Sequence, residues 1–484
     1  MLLKNILKNI NCQTKGEINH KNIQNLCFNT SAMHKNSLFF CLTGVNEDGH
    51  NYAQNAVELG AVAIVVEKFL NLDVVQIKVE NARAAMALCS ANFYGNPAKK
   101  LKLIGVTGTN GKTSTTYILK SILETSGYKV GLFGTIGIYI GNKKLKTNMT
   151  TPDPIVFHKV LAQMVKQKID YVVMEVSAHA ISLNKMEGVK FLVGILTNIT
   201  QDHLDFFKTF SNYAKTKLSF LSPKYCINGV VNLDDKLASG VYKNSLSIGF
   251  NCFGFGLNNK VGQKCLSYSL QNNGLKFNVE VNGYTFNCSS ALMGKFNLYN
   301  ILGAICACSV LGIEQKNIIQ GVKNVLPVLG RFNVLPLKNG AYAVIDYAHT
   351  PDGLQKILTS AKEISKGRVI SVFGCGGNRD RLKRPLMGQI SVSLADFTII
   401  TSDNPRFEEP QSIIIDIKKG IPKNYKNYMC ITDRKKAIEN AVSLSKPNDF
   451  VVISGKGAED YLDIKGQKIS YSDYKVINKI NQKR

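Results

Sequence analysis

Gly105-Val106-Thr107-Gly108-Thr109-Asn110-Gly111-Lys112-Thr113, followed by Ser114, decides how this chain is read. An apolar run over 103–107 precedes the glycines. A helical pattern with Ile118, Leu119, Ile122 and Leu123 on one face follows them. In a strand–loop–helix of this kind the backbone N–H groups curl around a phosphate and the helix N-terminus adds positive potential. Lys112 is placed to reach the terminal phosphates, and Thr113 to ligate magnesium. The strict pattern wants glycine at 106, where Val106 stands, so the loop is a variant. It predicts nucleotide binding, but by itself it does not separate ATPases, GTPases, kinases and ligases.

Downstream, Glu175-Val176-Ser177-Ala178-His179 ends a predicted buried strand over 171–176, and Asp202-His203-Leu204-Asp205 follows another over 192–197. A carboxylate at such a strand end is well placed to hold magnesium beside the loop. Strands alternating with helices predict an α/β protein with a mostly parallel central sheet. Upstream, residues 1–98 read as a small α/β unit, with strands at 37–42 and 61–67, a helix over 52–59 between them, and a linker at 96–100. Residues 250–290 are strand-rich, with Asn273-Gly274 and Asn282-Gly283 turns, and read as a β excursion within the central domain. Strands at 342–347, 368–373, 397–401 and 450–454 predict a third, Rossmann-like domain. The expected division is 1–98, 99–333 and 334–484.

The bulk properties bound the function. A chain of 484 residues, 45% hydrophobic and 19% charged, suits a globular protein of several domains. Apolar runs such as 61–66 are too short to span a bilayer, and lysine and asparagine interrupt the N-terminal MLLKNILKNINC. A cytoplasmic enzyme with no membrane partner is expected. Twelve cysteines without a CxxC argue against zinc and against a disulfide framework. Cys306 and Cys308 fall in a predicted helix, where side chains two apart diverge. The net charge of +26 is spread along the chain, with no basic tract interleaved with aromatics. It reads as a composition bias compatible with polyanionic substrates, and no nucleic-acid partner is expected.

Further segments join the loop in order: Lys295-Phe296-Asn297-Leu298-Tyr299-Asn300, Gly330-Arg331, Asp346-Tyr347-Ala348-His349-Thr350-Pro351 and Asp403-Asn404-Pro405-Arg406. Together with Glu-Val-Ser-Ala-His and Thr-Asn-Ile-Thr-Gln-Asp-His-Leu-Asp, this set resembles the Mur ligase family across most of the chain, and is similar to its diaminopimelate-adding members. The resemblance implies a UDP-binding domain, an ATPase domain and a C-terminal Rossmann-like domain. It implies an ATP- and magnesium-dependent ligase, monomeric, that joins meso-diaminopimelate to UDP-MurNAc-L-Ala-D-Glu through an acyl phosphate.

It also implies residue roles. Gly108, Thr109, Asn110, Gly111, Lys112, Thr113, Ser114, Asn297, Asn300, Arg331, Asp346 and His349 would bind ATP. Lys112, Glu175, His203 and Lys217 would be catalytic, with Thr113, Glu175, His203 and a carbamylated Lys217 holding magnesium. Thr30, Thr150, Thr151, Ser177 and Lys185 would contact the UDP-MurNAc-dipeptide. Arg379, Asp403, Asn404, Pro405, Arg406, Gly455 and Glu459 would bind diaminopimelate, Arg406 gripping its distal carboxylate and Glu459 its distal ammonium. Asn29-Thr30-Ser31 departs from the family's Asp-Ser-Arg, and Lys185 stands where arginine is usual. Asn333, Leu382 and Ala458 depart at positions with no chemical role assigned. A related ligase with another amine substrate, such as a folylpolyglutamate synthase, is the alternative within the fold. A nucleic-acid-binding phosphate-loop ATPase is the alternative from another class.

Overall fold

A computed structural model describes residues 1–482 except 45–46, 148, 259–261 and 272–273. Three sheets of five, eleven and six strands organise it, with one two-stranded hairpin besides. In the first sheet the strands lie in the spatial order Gln13–Lys15, Val75–Lys78, Ala61–Val66, Ser37–Phe40, Asn25–Cys27. The helix Ala53–Glu58 sits between the two strands expected around it. Ser37–Phe40 is buried on both faces, which is why it reads as a continuous apolar run. Leu38 and Phe40 face the helices Leu3–Ile6 and Ala82–Phe93, while Phe39 and Ile64 face Ala53–Glu58.

The central sheet is built around the strand Lys102–Thr107, whose neighbours Tyr171–Glu175 and Phe191–Leu196 run parallel to it. Val130–Gly134 continues the parallel sheet on one side, and Cys226–Asn232 then Asn251–Gly256 on the other. Leu103 packs into the core on one face, and Ile104 and Val106 into the core on the other. Val106 is therefore a strand residue, fully buried. The departure from the strict loop pattern falls where a packed side chain is wanted, before the chain turns toward any phosphate.

The strand-rich stretch 250–290 is part of this same sheet. Gln263–Gln271 adds in parallel to Asn251–Gly256, and Gly274–Val281 and Tyr284–Ser290 follow as antiparallel hairpins. They cover an edge that would otherwise present unpaired backbone groups. Asn282 and Gly283 both take positive φ, 52° and 82°, as a tight hairpin turn demands. Asn273, in the other expected turn, lies outside the described residues.

The third sheet has the order Asn333–Pro336, Tyr342–Asp346, Phe450–Ser454, Val369–Phe373, Phe397–Ile400, Tyr428–Cys430. Its first pair is antiparallel and the rest are parallel. Asp346 and Ser454 end adjacent strands, so the loops that follow open at the crevice where α/β sheets bind ligands. No helix of the described residues is long and apolar enough to cross a membrane.

One packing feature of the central domain has a pH signature. His158, on the helix Pro154–Lys166, is 1% exposed, and neither ring nitrogen has a hydrogen-bond partner among the described residues. Burial pushes its imidazole from the ordinary 6.5 down to about 4. The unfolded chain takes up this proton through pH 6.5 and the folded chain does not, so stability present above 6.5 drains away as pH falls toward 4. Between pH 7.5 and pH 5 the wild type is expected to lose about 2 kcal/mol more than His158→Phe. Parallel pH dependences of urea unfolding for the two proteins would refute this.

Candidate active site

The loop from Gly108 to Gly111 is braced from behind by the segment after strand Phe191–Leu196. Thr109 N–H donates to Asn198 O at 2.8 Å, and Asn110 N–H to Asn198 Oδ1 at 3.1 Å. The Thr197 hydroxyl donates to Asn110 O at 2.6 Å. The Thr109 hydroxyl donates to Thr200 O at 3.0 Å and lies 3.0 Å from the Tyr213 hydroxyl. A Cβ on Gly108 would overlap Thr197 Oγ1, and one on Gly111 would overlap Asn300 Oδ1. Both glycines also hold positive φ, 144° and 88°, so the close approach and the turn require the same residue. Lys112 opens the helix Lys112–Thr125 and donates to Gly108 O and Thr109 O, both at 2.8 Å. Ser114 is buried in the same turn.

Glu175, 1% exposed, is the hub beside the loop. Its Oε1 accepts from the Thr113 hydroxyl at 3.0 Å and from Thr135 N–H at 2.8 Å, and its Oε2 from the Thr135 hydroxyl at 3.2 Å. Among the described residues no three His, Cys, Asp or Glu side chains converge as a metal cage. Magnesium does not need one: it keeps several waters and takes one or two carboxylates plus phosphate oxygens. The Thr113 hydroxyl and the Glu175 carboxylate, side by side at a phosphate loop, fit that requirement.

Lys217 is 2% exposed and its ammonium donates to Gly108 O at 2.7 Å, the same carbonyl that accepts from Lys112. Burial, with Lys112 nearby, pushes its pKa well below the ordinary 10.5. His203 takes φ 54° at the head of a short helix, with Nε2 at 3.4 Å from Asp202 Oδ2. Its ring lies 4.8 Å from that of His179, which burial pushes down to about 4.

Lys112, Thr113, Glu175, His203 and Lys217 line one cavity of about 470 Å³ together with Asn300, Arg331, Asp346 and His349. The central and C-terminal sheets thus share its wall. Arg331 Nη2 donates to the Thr113 hydroxyl at 3.0 Å, and its guanidinium lies 4.8 Å from the centre of the Tyr347 ring. Asp346 accepts from Phe332 N–H and Ala348 N–H, both at 2.6 Å, and burial raises its carboxyl to about 6. His349 Nδ1 lies 2.9 Å from Tyr347 O, and burial lowers its pKa. Asn297 is not on the wall. It sits 1% exposed behind Asn300, accepting from Asn300 Nδ2 at 3.0 Å and donating to Met293 O at 2.7 Å. At helix spacing of three the two side chains are neighbours, and their mutual bond lets Asn297 hold Asn300 at the wall.

Of the residues expected along the dipeptide substrate, Thr150 and Ser177 line the cavity. Thr151 is turned inward, its hydroxyl donating to Glu175 O at 2.8 Å. Lys185 pairs with Asp153 at 2.7 Å. Thr30 stands apart from the cavity in the N-terminal domain, in a short turn capped by Asn29 Oδ1 accepting from Ser31 N–H at 3.0 Å.

The expected amino-acid residues gather at the ends of the third sheet. Asn404 Nδ2 donates to Glu459 Oε2 at 3.0 Å, and Asn404 N–H to Asp403 Oδ1 at 2.6 Å. Arg406 takes φ 53°, held by backbone bonds from its N–H to Asp463 O at 3.0 Å and from Lys465 N–H to its own carbonyl at 2.7 Å. Its Nη1 donates to Gly377 O at 2.8 Å. A Cβ on Gly455 would overlap Asp403 Oδ2, so this approach needs glycine. Pro405 carries the chain from Asn404 into Arg406, its carbonyl accepting from Glu408 N–H at 3.0 Å. Arg379 flanks Gly376 as Arg406 and Asn404 do, and its Nη1 lies 3.8 Å from Asp205 of the central domain.

Two contributors were not read from the sequence. Asp352 Oδ2 accepts from Asn110 Nδ2 at 2.6 Å, from the Thr200 hydroxyl at 3.0 Å and from Lys356 at 2.9 Å, tying the C-terminal domain to the loop. A carboxylate in the first turn after Thr350-Pro351 signals only a favourable helix start. The other is Lys456, fully buried among the amino-acid residues; its signal was a lysine between two glycines after a buried strand.

Comparison with known proteins shows the family. The model of the Mur ligase middle domain matches residues 106–308, that of the Mur ligase glutamate ligase domain 330–457, and that of the Mur ligase family catalytic domain 22–94. A UDP-N-acetylmuramoyl-L-alanyl-D-glutamate–2,6-diaminopimelate ligase of Clostridium tetani is 43% identical over 487 residues, 99% of each chain. One of Clostridium acetobutylicum is 44% identical, covering 99% of this chain and 98% of the other. A solved structure of a ligase with the same name superposes with a TM-score of 0.70 at 26% identity, covering 99% of this chain and 98% of that one. MurF from Acinetobacter baumannii, at 15% identity and a TM-score of 0.68 over 99% and 98% of the two chains, shares the fold. This chain belongs to the Mur ligase family of ATP-dependent ligases.

Proposed function

We propose that the protein adds meso-diaminopimelate to UDP-MurNAc-L-Ala-D-Glu, as a monomer in the cytoplasm, with domains at 1–98, 99–333 and 334–484. Relatives matched over nearly the whole chain, and named for that reaction, support this reading. A carboxylate is a poor electrophile. In the proposed reaction its oxygen attacks the γ-phosphorus of ATP, ADP leaves, and an acyl phosphate forms. An amine of diaminopimelate then attacks the carbonyl carbon, the tetrahedral adduct expels phosphate, and the amide remains.

Lys112, which bonds two loop carbonyls at the start of its helix, would turn to phosphates bound at that helix N-terminus. Thr113 and Glu175 would hold magnesium, and His203 with a carbamylated Lys217 would hold a second ion, which there would supply the charge that phosphoryl transfer between two anions needs. Asn300, backed by Asn297, borders the nucleoside with Arg331, Asp346 and His349. Thr150, Ser177 and Lys185 lie along the dipeptide, with Thr30 toward the UDP end.

The observation that carries the amino-acid assignment is the pairing of opposite charges in one cluster. Arg406 offers a planar cation, and Glu459 and Asp403, both bonded to Asn404 two residues before it, offer carboxylates. The distal end of diaminopimelate, a carboxylate and an ammonium on one carbon, matches both. Lysine matches only the anionic half. With UDP-MurNAc-L-Ala-D-Glu, ATP and magnesium, phosphate release is expected with meso-diaminopimelate and is expected to fall by about 100-fold or more in kcat/KM with lysine. Equal or better activity with lysine would overturn the assignment.

A further inference from the structure

Lys456 lies at 0% exposure directly behind the amino-acid cluster. Gly455 and Gly457 on either side take positive φ, 119° and 54°, and turn the chain so that the side chain points inward. Its ammonium donates to Asn404 Oδ1 and to Glu459 Oε2, both at 3.0 Å, and lies 3.9 Å from Asp403 Oδ1. Nothing in the reaction derived above uses it.

The arrangement is economical in what it fixes. Glu459 Oε2 accepts from both Lys456 and Asn404 Nδ2, so Oε1 is the oxygen left for an incoming ammonium. Asn404 Oδ1 accepts from both Lys456 and Asp463 N–H, the latter at 3.0 Å, and Asp463 O in turn holds the backbone of Arg406. One buried cation therefore spans both halves of the cluster. Without it, Asn404 and Glu459 would lose the buried cation that links them, and although Arg434 still faces Asp403, the Glu459 carboxylate would be free to swing.

We infer that Lys456 is the positioning residue of the amino-acid site, fixing Glu459 and the Asp403–Arg406 loop in the geometry that recognises the distal ammonium and carboxylate of the substrate. The inference rests on the diaminopimelate reading above. Lys456 touches no reacting atom, so its loss acts on one substrate and not on the phosphoryl transfer.

The test is steady-state kinetics of the full-length enzyme, with each of the three substrates varied in turn. Lys456→Met is expected to raise KM for diaminopimelate by about 30-fold or more and to leave KM for ATP within about twofold. Lys456→Arg, which keeps the charge in a longer side chain, is expected to recover part of that loss, standing about 3- to 10-fold above wild type. Equal changes in the ATP and diaminopimelate constants would reduce Lys456 to a general structural role and overturn the inference. So would an unchanged diaminopimelate constant in either variant. If Lys456→Met fails to fold, the arginine variant decides alone by the same criterion. The wild-type control keeps the two readings apart. A wild type without diaminopimelate-dependent phosphate release defeats the substrate assignment; a normal wild type beside a normal variant defeats only the role of Lys456.

Discussion

Lys217→Ala is expected to lower kcat by about 10³-fold or more while the protein stays folded. The side chain is 2% exposed, and its ammonium donates to Gly108 O of the phosphate loop. A charged lysine there would oppose Lys112 next to it, and burial favours the neutral amine. A neutral amine is the form that reacts with carbon dioxide, and the resulting carbamate would be an anion beside Lys112, which bonds the same loop carbonyl. That conversion would turn a buried amine into a ligand for magnesium, the role proposed above for Lys217. The alanine variant leaves a space shaped for a short carboxylate, so acetate or formate at high concentration is expected to restore part of the activity. Labelled bicarbonate gives a readout separate from turnover: the wild type should show a carbamate carbon signal that the variant lacks. Near-normal phosphate release from the unrescued variant would show that Lys217 has no part in the chemistry.

Much of this site was legible because its residues sit at strand ends, and strand ends are marked by apolar runs. The loop and Glu175 were found that way; Asp346 also ends a strand, but its role came from the family resemblance. What could not be read was how the segments meet. Thr197 and Asn198 lie in a recognisable run, yet their work is to brace Asn110 from the next strand, a contact set by the order of strands in the sheet. Asp352 contacts Asn110 across 242 positions, and no periodicity reports a meeting between two domains. Asn297 and Asn300 are equal in the sequence, and only the packing of their helix shows which one reaches the wall. The stretch 250–290 announced strands by alternation and turns, but alternation does not say which edge they join. Val106 seemed to weaken the phosphate loop until its strand position explained it.

Arg406→Ala is expected to raise KM for diaminopimelate by about 100-fold or more and to leave KM for ATP within about twofold. The positive φ of Arg406 is a conformation that non-glycine residues seldom hold, and two backbone bonds to the hairpin Tyr461–Ile464 and Gln467–Ser470 region enforce it. Strain of this kind serves to aim a side chain. The guanidinium is tethered at one end by Gly377 O and lies 3.7 Å from Asp463, so its plane is set before any substrate arrives. A preset fork loses little freedom when it grips a carboxylate through two parallel bonds. Arg406→Lys keeps the charge but not the fork, and an intermediate rise of about 10-fold is expected. Selectivity should move with affinity: in the alanine variant diaminopimelate loses its advantage and lysine, which has no distal carboxylate to lose, is nearly unaffected. An alanine variant with wild-type diaminopimelate kinetics, or one whose lysine activity falls in proportion, would mean that Arg406 shapes the loop without reading the substrate.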